Sequence, residues 1–257
     1  MSAVLDRNAA AVRAFAVLDA LAAADGPSTL ADISVQVGLP KPTVHRLLAQ
    51  LESAGVVMRE PQGKRFSVGA RMSRLALQVL ANSTQRGSRH AILRALVDEL
   101  GETCNLTILD RAEVVYLDRV DTASPLRVNL QPGSRVPLHC SASGKLLLAL
   151  LPAQQRERVV ANAILTRFTD NTLATREALE AELARIRREK SGTDNEEYLT
   201  GLVCVAVPVT NAGGRAIAAV AMQAPVARMP LARALEHLPQ LRRAAEAMAT
   251  TFTKETQ

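Results

Sequence analysis

Six residues are of the types and spacing that grip a polyanion. Lys41, Thr43, His45 and Arg46 crowd the start of one segment, and Lys64 and Arg65 stand side by side further along. Lysine and arginine neutralise phosphates, and either can pair with guanine O6 and N7. Threonine offers its hydroxyl to phosphate or base and its methyl to thymine. Between Lys41 and Arg74 there are seven bases against two acids, while the whole 257-residue chain carries a net charge of +6. Most of the positive excess is therefore concentrated in one short stretch, which favours a nucleic-acid partner more strongly than overall charge does.

A second group, PLHCSASGK at residues 137–145, places Ser141, Ser143 and small residues before an apolar run. The first N–H groups of such a helix can hold an anion. An ordinary capped core helix explains the same pattern. It is not a Walker loop: His139 stands where glycine is needed and Leu146 where a hydroxyl residue should follow Lys145. Cys140 beside His139 raises a rival reading, a metabolic enzyme with a thiolate nucleophile. Sequence neighbours point to different sides and no third group orients the pair, so no catalytic residue is assigned and no enzyme is expected.

Cys104, His139, Cys140, Cys204 and His237 lack metal-ligand spacing, and Asp194-Asn195-Glu196-Glu197 lacks the glycine and spacing of a calcium loop, reading instead as surface acids. Neither a metal nor a cofactor is expected. Three widely separated cysteines in apolar surroundings read as free buried thiols. No run of about 18 apolar residues suggests a membrane span, and MSAVLDRNAA lacks the features of a secretory signal, so a cytoplasmic protein with no membrane partner is expected.

The elements that must position these residues follow from periodicity. A helix spans Ala9–Ala24. Ser28 or Thr29 caps a second over Leu30–Val37, closed by Gly38, and a third runs from Lys41 to Ser53, with Pro40 and Pro42 tolerated in its first turn and Gly55 ending it. On the third, Val44, Leu47, Leu48 and Leu51 form the buried stripe, which leaves Lys41, Thr43, His45, Arg46 and Gln50 for other faces. Val56–Arg59 and Lys64–Val68 read as a β-hairpin around Glu60-Pro61-Gln62-Gly63, with Gln62-Gly63-Lys64-Arg65 at its projecting tip. Residues 30 to 66 thus form a winged helix-turn-helix that puts Lys41–Arg46 into a DNA major groove, with Lys64 and Arg65 on the flanking backbone.

Ala70–Leu80 is again helical, and Asn82-Ser83-Thr84 interrupts it. Beyond lie a helix at His90–Leu100, strands at Thr103–Leu109, Glu113–Arg119 and Leu126–Leu130, and helices at Ser143–Leu151 and Thr175–Lys190. Strands at Gly201–Thr210 and Arg215–Gln223 flank the hairpin signal Asn211-Ala212-Gly213-Gly214, and one closing helix covers Leu231–Thr251. Interleaved helices and hairpins imply an α/β unit with a largely antiparallel sheet.

The stretches LPKPTVHRLLAQLESAGVV, FSVGARMSRLA, GETCNLTILDRAEVVYLDRV, PLRVNLQPGSRVPLHCSASGKLLLALLP and DNEEYLTGLVCVAVPV, in this order, closely resemble the isocitrate lyase regulator (IclR) family over nearly the whole chain. The resemblance implies an α+β two-domain transcription factor. Its parts are a winged helix-turn-helix at 1–69, a linker helix at 70–85 and a GAF-like effector-binding domain at 86–257. It also implies binding to double-stranded operator DNA as a homodimer or homotetramer. Pro42 stands where a small hydroxyl residue is more usual in the family, which removes one hydroxyl contact to phosphate.

By the same resemblance the effector pocket maps onto Ala142, Ser143, Asp194, Leu202, Cys204, Ala221 and Gln223. Ala221 and Gln223 replace serines that bind the ligand carboxylate in the family's small-acid sensors. The expected effector is therefore a small organic acid bulkier or more apolar than a two- or three-carbon keto acid. The two rivals are an enzyme using Cys140 and His139, and a winged helix that docks protein rather than DNA. The sequence leaves the operator, the effector's identity and the choice between repression and activation open.

Overall fold

A computed structural model of the chain describes residues 10–24, 26–60, 63–82, 86–128 and 130–253. The chain divides into two units, Met1–Val79 and Leu80–Gln257. The expected turn residues Pro61 and Gln62, and Ser83 and Thr84 of the expected break, lie outside the described residues.

In the first unit, α1 (Ala10–Ala23), α2 (Leu30–Val37) and α3 (Lys41–Ser53) close over a small core of Val17, Leu18, Leu21, Ile33, Val44, Leu47, Leu48, Val57 and Phe66. Thr29 caps α2 with a full capping box: its hydroxyl accepts from Asp32 N at 3.2 Å while the Asp32 carboxylate accepts from Thr29 N at 3.1 Å. Two backbone donors that a helix start leaves orphaned are thereby satisfied. Gly38 ends α2 at φ 67°, a left-handed conformation that glycine adopts without a Cβ penalty. Leu39 N then returns to Ser34 O, and the chain turns into α3 within three residues.

The hairpin comprises β2 (Val57–Arg59) and β3 (Arg65–Val68). A strand absent from the sequence reading, β1 (Ser28–Thr29), joins it to give the order β1-β3-β2. Helix α4 (Ala70–Asn82) follows.

The second unit is built on a six-stranded sheet, order β6-β5-β4-β9-β8-β7, in which every pairing is antiparallel. Its strands are β4 (Thr103–Asp110), β5 (Glu113–Val120), β6 (Arg135–Pro137), β7 (Gly192–Asn195), β8 (Leu202–Thr210) and β9 (Ala216–Pro225). Helices α5 (Arg86–Leu100) and α10 (Leu238–Thr253) pack together on one face. On the other, α6 (Ala142–Ala149) and α8 (Arg176–Glu189) bury Leu146, Leu179, Leu183 and Ile186 against Ala206, Ala219 and Ala221. Two further helices, α7 (Ala153–Asn162) and α9 (Leu231–Glu236), complete the unit.

Besides the unforeseen short elements β1, β6, β7 and α7, the structure departs from the sequence reading in four places. Leu126–Leu130 is no strand among its described residues: the Val128 carbonyl accepts from the Arg119 guanidinium and the Leu126 carbonyl from Arg228, so side chains occupy acceptors that a ladder would use. The edge strand is β6 instead. The closing helix breaks at His237, because Pro239 has no N–H to continue the preceding turn and its ring clashes with that turn. Helix α5 starts four residues early, its Arg89 buried but satisfied by the Phe252 ring at 4.2 Å and Thr251 Oγ1 at 3.1 Å. Finally, Asp194 and Glu197 are not surface acids: they are 2% and 6% exposed.

Candidate nucleic-acid interface and ligand cavity

The two faces of α3 separate as its periodicity requires. Val44, Leu47 and Leu48 are buried, while Lys41, His45, Arg46, Ala49 and Gln50 are exposed and Thr43 is half-buried. The start of α3 carries no side-chain cap. Thr43 N and Val44 N both return to Pro40 O, and Pro42 has no N–H, so the positive end of the helix meets solvent mainly through side chains.

The hairpin cations are not equivalent. Lys64 is exposed beside the tip, whereas Arg65 lies on β3 and donates from Nη1 to Pro27 O at 3.1 Å. Arg59 stacks on Phe66, 4.8 Å from the ring centre, and pairs with Glu52 at 3.5 Å. Of this hairpin's cations, Lys64 carries no structural bond in the described residues, and Arg65 both faces solvent and secures β1.

In the second unit, six of the seven expected effector residues surround one cavity. Ala142 and Ser143 come from the start of α6, Asp194 from β7, Leu202 and Cys204 from β8, and Ala221 from β9. Counting the part open to solvent, the space amounts to about 380 Å³. Strand register explains the convergence: Asp194 pairs with Cys204, and Cys204 with Gln223, so alternate residues of three adjacent strands share the face beneath α6.

Helix α6 can press onto that face because Gly192 has no side chain. A Cβ there would lie 2.3 Å from the Ala142 carbonyl oxygen. Ser141 caps α6, accepting from Gly144 N at 3.3 Å and donating to Pro137 O at 2.8 Å. The N–H groups of Ala142 and Ser143 have no acceptor within the helix, as holds for the first residues of any helix.

Gln223 is not brought to the cavity wall. Its carboxamide oxygen turns to Arg119 Nη1 and Nη2 at 3.0 and 3.2 Å, and its other end lies 3.5 Å from Tyr116 Oη. Arg119 is itself buried, bonded to Asp121 at 2.6 Å and to the Val128 carbonyl.

Charge under the cavity is arranged around Lys145, which is 1% exposed on α6 and ion-paired to Glu197, with Glu182 of α8 at 3.7 Å. Glu197 N donates to Asp194 Oδ1 at 2.7 Å. Burial and the neighbouring Glu197 carboxylate raise the Asp194 pKa to about 7, well above the usual carboxylate range.

The enzyme reading fails on geometry. Burial pushes the Cys140 thiol up to about 12, and His139 Nε2 lies 2.9 Å from Thr166 O rather than serving as a base for it. The three cysteines are free. No helix among the described residues is long and apolar enough to cross a membrane.

Sequence reasoning missed Asn105, Thr107, Tyr116 and Tyr198, all of which line the cavity, and the buried supports Lys145, Glu197 and Arg119, whereas Ser141, singled out with Ser143 at the helix start, does line it. Alternation along β4 carries part of this signal, since Thr103, Asn105 and Thr107 pair with Gln223, Ala221 and Ala219 and so share their face.

Comparison with known proteins gives a consistent result. A family model described as the IclR helix-turn-helix domain matches residues 10–61, and one described as the C-terminal domain of the bacterial transcriptional regulator IclR matches residues 77–250. The chain is 52% identical over 245 residues to the probable transcriptional regulator SauR of Cupriavidus necator, covering 95% of this chain and 97% of the relative. The crystal structure of the Thermotoga maritima IclR superposes with a TM-score of 0.63 at 27% identity, over 93% of this chain and 96% of that one. An IclR homolog from Microbacterium hydrocarbonoxydans, complexed with 4-hydroxybenzoate, gives 0.59 at 25% identity over 95% and 99%.

Proposed function

The chain belongs to the IclR family of bacterial transcriptional regulators, and from that premise we propose which residues perform the two halves of its task. It is a DNA-binding regulator modulated by a small organic effector, not an enzyme. In the proposed assignment residues 1–69 bind double-stranded operator DNA, 70–85 link, and 86–257 bind the effector. Lys41, Thr43, His45 and Arg46 read or grip the major groove, while Lys64 and Arg65 hold the flanking phosphates. What supports this is the exposure of Lys41, His45 and Arg46 on a helix whose opposite face is the unit's core.

The effector site is the cavity beneath α6, with Ala142, Ser143, Asp194, Leu202, Cys204 and Ala221 in contact with ligand and Gln223 acting behind Tyr116. The occupant is a small organic acid, bulkier or more apolar than a two- or three-carbon keto acid. The single observation that carries this is the meeting of unpaired helix N–H groups and a near-neutral Asp194 carboxyl, opposite apolar walls from Val114, Leu130 and Val136. The aromatic acid held by the Microbacterium hydrocarbonoxydans homolog supports the same class.

The protein acts in the cytoplasm as a homodimer or homotetramer. Leu75 and Val79, 53% and 55% exposed on α4, offer an apolar strip to a second copy. A thermal-shift panel of organic acids tests the effector assignment. Stabilisation by larger or more apolar acids is expected, and stabilisation by glyoxylate or pyruvate alone overturns it.

A further inference from the structure

Asn105 is the third residue of β4, 2% exposed, between Arg119 of β5 and Ala221 of β9. Its side-chain oxygen is buried and has no hydrogen-bond partner. Among the residues that line the ligand cavity, Asn105 is the one with such an atom among the described residues. The neighbours do not supply the missing donor. Ala221 has only a methyl group, and the Arg119 guanidinium is committed to Asp121, the Val128 carbonyl and Gln223. The other polar groups lining this part of the wall are satisfied: Thr107 Oγ1 lies 3.5 Å from Ala219 O, and Tyr116 Oη 3.5 Å from Gln223.

A buried acceptor left unmade costs about as much as a lost hydrogen bond, and proteins keep few of them. Where one lines a cavity, a ligand that brings a donor recovers the deficit and a ligand without one does not. Resting on the reading of this cavity as the effector site, we infer that Asn105 is a specificity-determining residue that accepts a hydrogen bond from a hydroxyl on the effector. The effector class is thereby narrowed from small acids to hydroxylated small acids.

Two anchors define the pose. The acid group lies at the start of α6, against the N–H groups of Ala142 and Ser143 and the Asp194 carboxyl. The hydroxyl lies at Asn105 on β4, three strands across the sheet from β7, a span of about 14 Å between backbones at ordinary strand spacing. Side chains from both walls shorten that gap, and the remaining distance favours an acid whose hydroxyl is remote from its carboxylate.

The test uses the full-length protein and matched acids: acetate with glycolate, propionate with lactate, benzoate with 4-hydroxybenzoate, titrated by calorimetry. In the pair that binds best, the hydroxylated member is expected to bind about tenfold or more tightly, since its rival leaves Asn105 unpaired. Asn105→Leu should bring that ratio close to one, with the melting temperature recorded to separate a folded variant from an unfolded one. Equal affinity within every binding pair in the unaltered protein overturns the role of Asn105 and leaves the acid-effector reading standing. Failure of every acid to bind overturns both.

Discussion

Asp194 is the titrating group of the cavity, and its behaviour fixes a pH dependence. With a folded-state pKa near 7, raised by burial and by Glu197, it holds a proton that the unfolded chain gives up at ordinary carboxylate values. Its contribution to stability is thus full at low pH, declines as pH rises toward 7 and is lost above that. The same sign governs an anionic effector. Calorimetry between pH 6 and pH 8 should show affinity falling, by up to about tenfold per unit above 7, and Asp194→Asn should flatten the curve; a flat profile in the unaltered protein contradicts the assignment. On α3, Arg46→Ala should weaken specific duplex binding by about 1–3 kcal/mol if a bidentate base contact is lost, measured by fluorescence anisotropy. Lys64→Ala should weaken all sequences alike and reduce the slope of log affinity against log salt by about 1. The exposure of Lys41, His45 and Arg46 was legible in the sequence because an amphipathic helix exposes whatever its apolar stripe leaves over. The cavity was legible only in part. The register shift between Leu106 and Thr107 sets Asn105 opposite Arg119 but Thr107 opposite Tyr116, so Tyr116 and Arg119 serve one face although alternation assigns them to opposite ones.

Two elements hold the sites in place, and each rests on one identifiable residue. The Thr29 capping box fixes the start of α2 and, through β1, ties the helix pair to the hairpin. Thr29→Ala should lower the stability of the DNA-binding unit by about 1 kcal/mol in denaturant titration. Gly192→Ala should be worse, because a Cβ placed 2.3 Å from the Ala142 carbonyl forces α6 off the sheet. Overpacking of this kind costs about 1–3 kcal/mol, and here it also displaces the helix start proposed to hold the acid, so effector-induced stabilisation should disappear with it. At this scale most helices and the long strands followed from periodicity and caps. The short edge strands β6 and β7 did not, since three or four residues give no period to detect. Nor did the fate of Leu126–Leu130, where the Val128 carbonyl is taken by Arg119 and the Leu126 carbonyl by Arg228, far along the chain. The Asp194–Glu197 stretch looked like surface because its charges are satisfied by Lys145, a partner 52 residues from Glu197 and itself hidden on an otherwise apolar helix.

At the scale of the molecule, an acid bound under α6 changes DNA binding only if it favours one placement of the DNA-binding units over another, because equal affinity for both shifts nothing. Helix α4, which bridges the division of the chain, is the natural lever for that coupling. On the proposed reading, one chain reads an operator with α3 and answers to an acid bound more than a hundred residues away in sequence. Footprinting on the DNA that flanks its own gene, with and without hydroxylated acids, tests it most directly. A protected site of dyad symmetry is expected, lost or redistributed when the acid is added and weakened by Arg46→Ala. A footprint that no acid alters, or one that Arg46→Ala leaves intact, would contradict it.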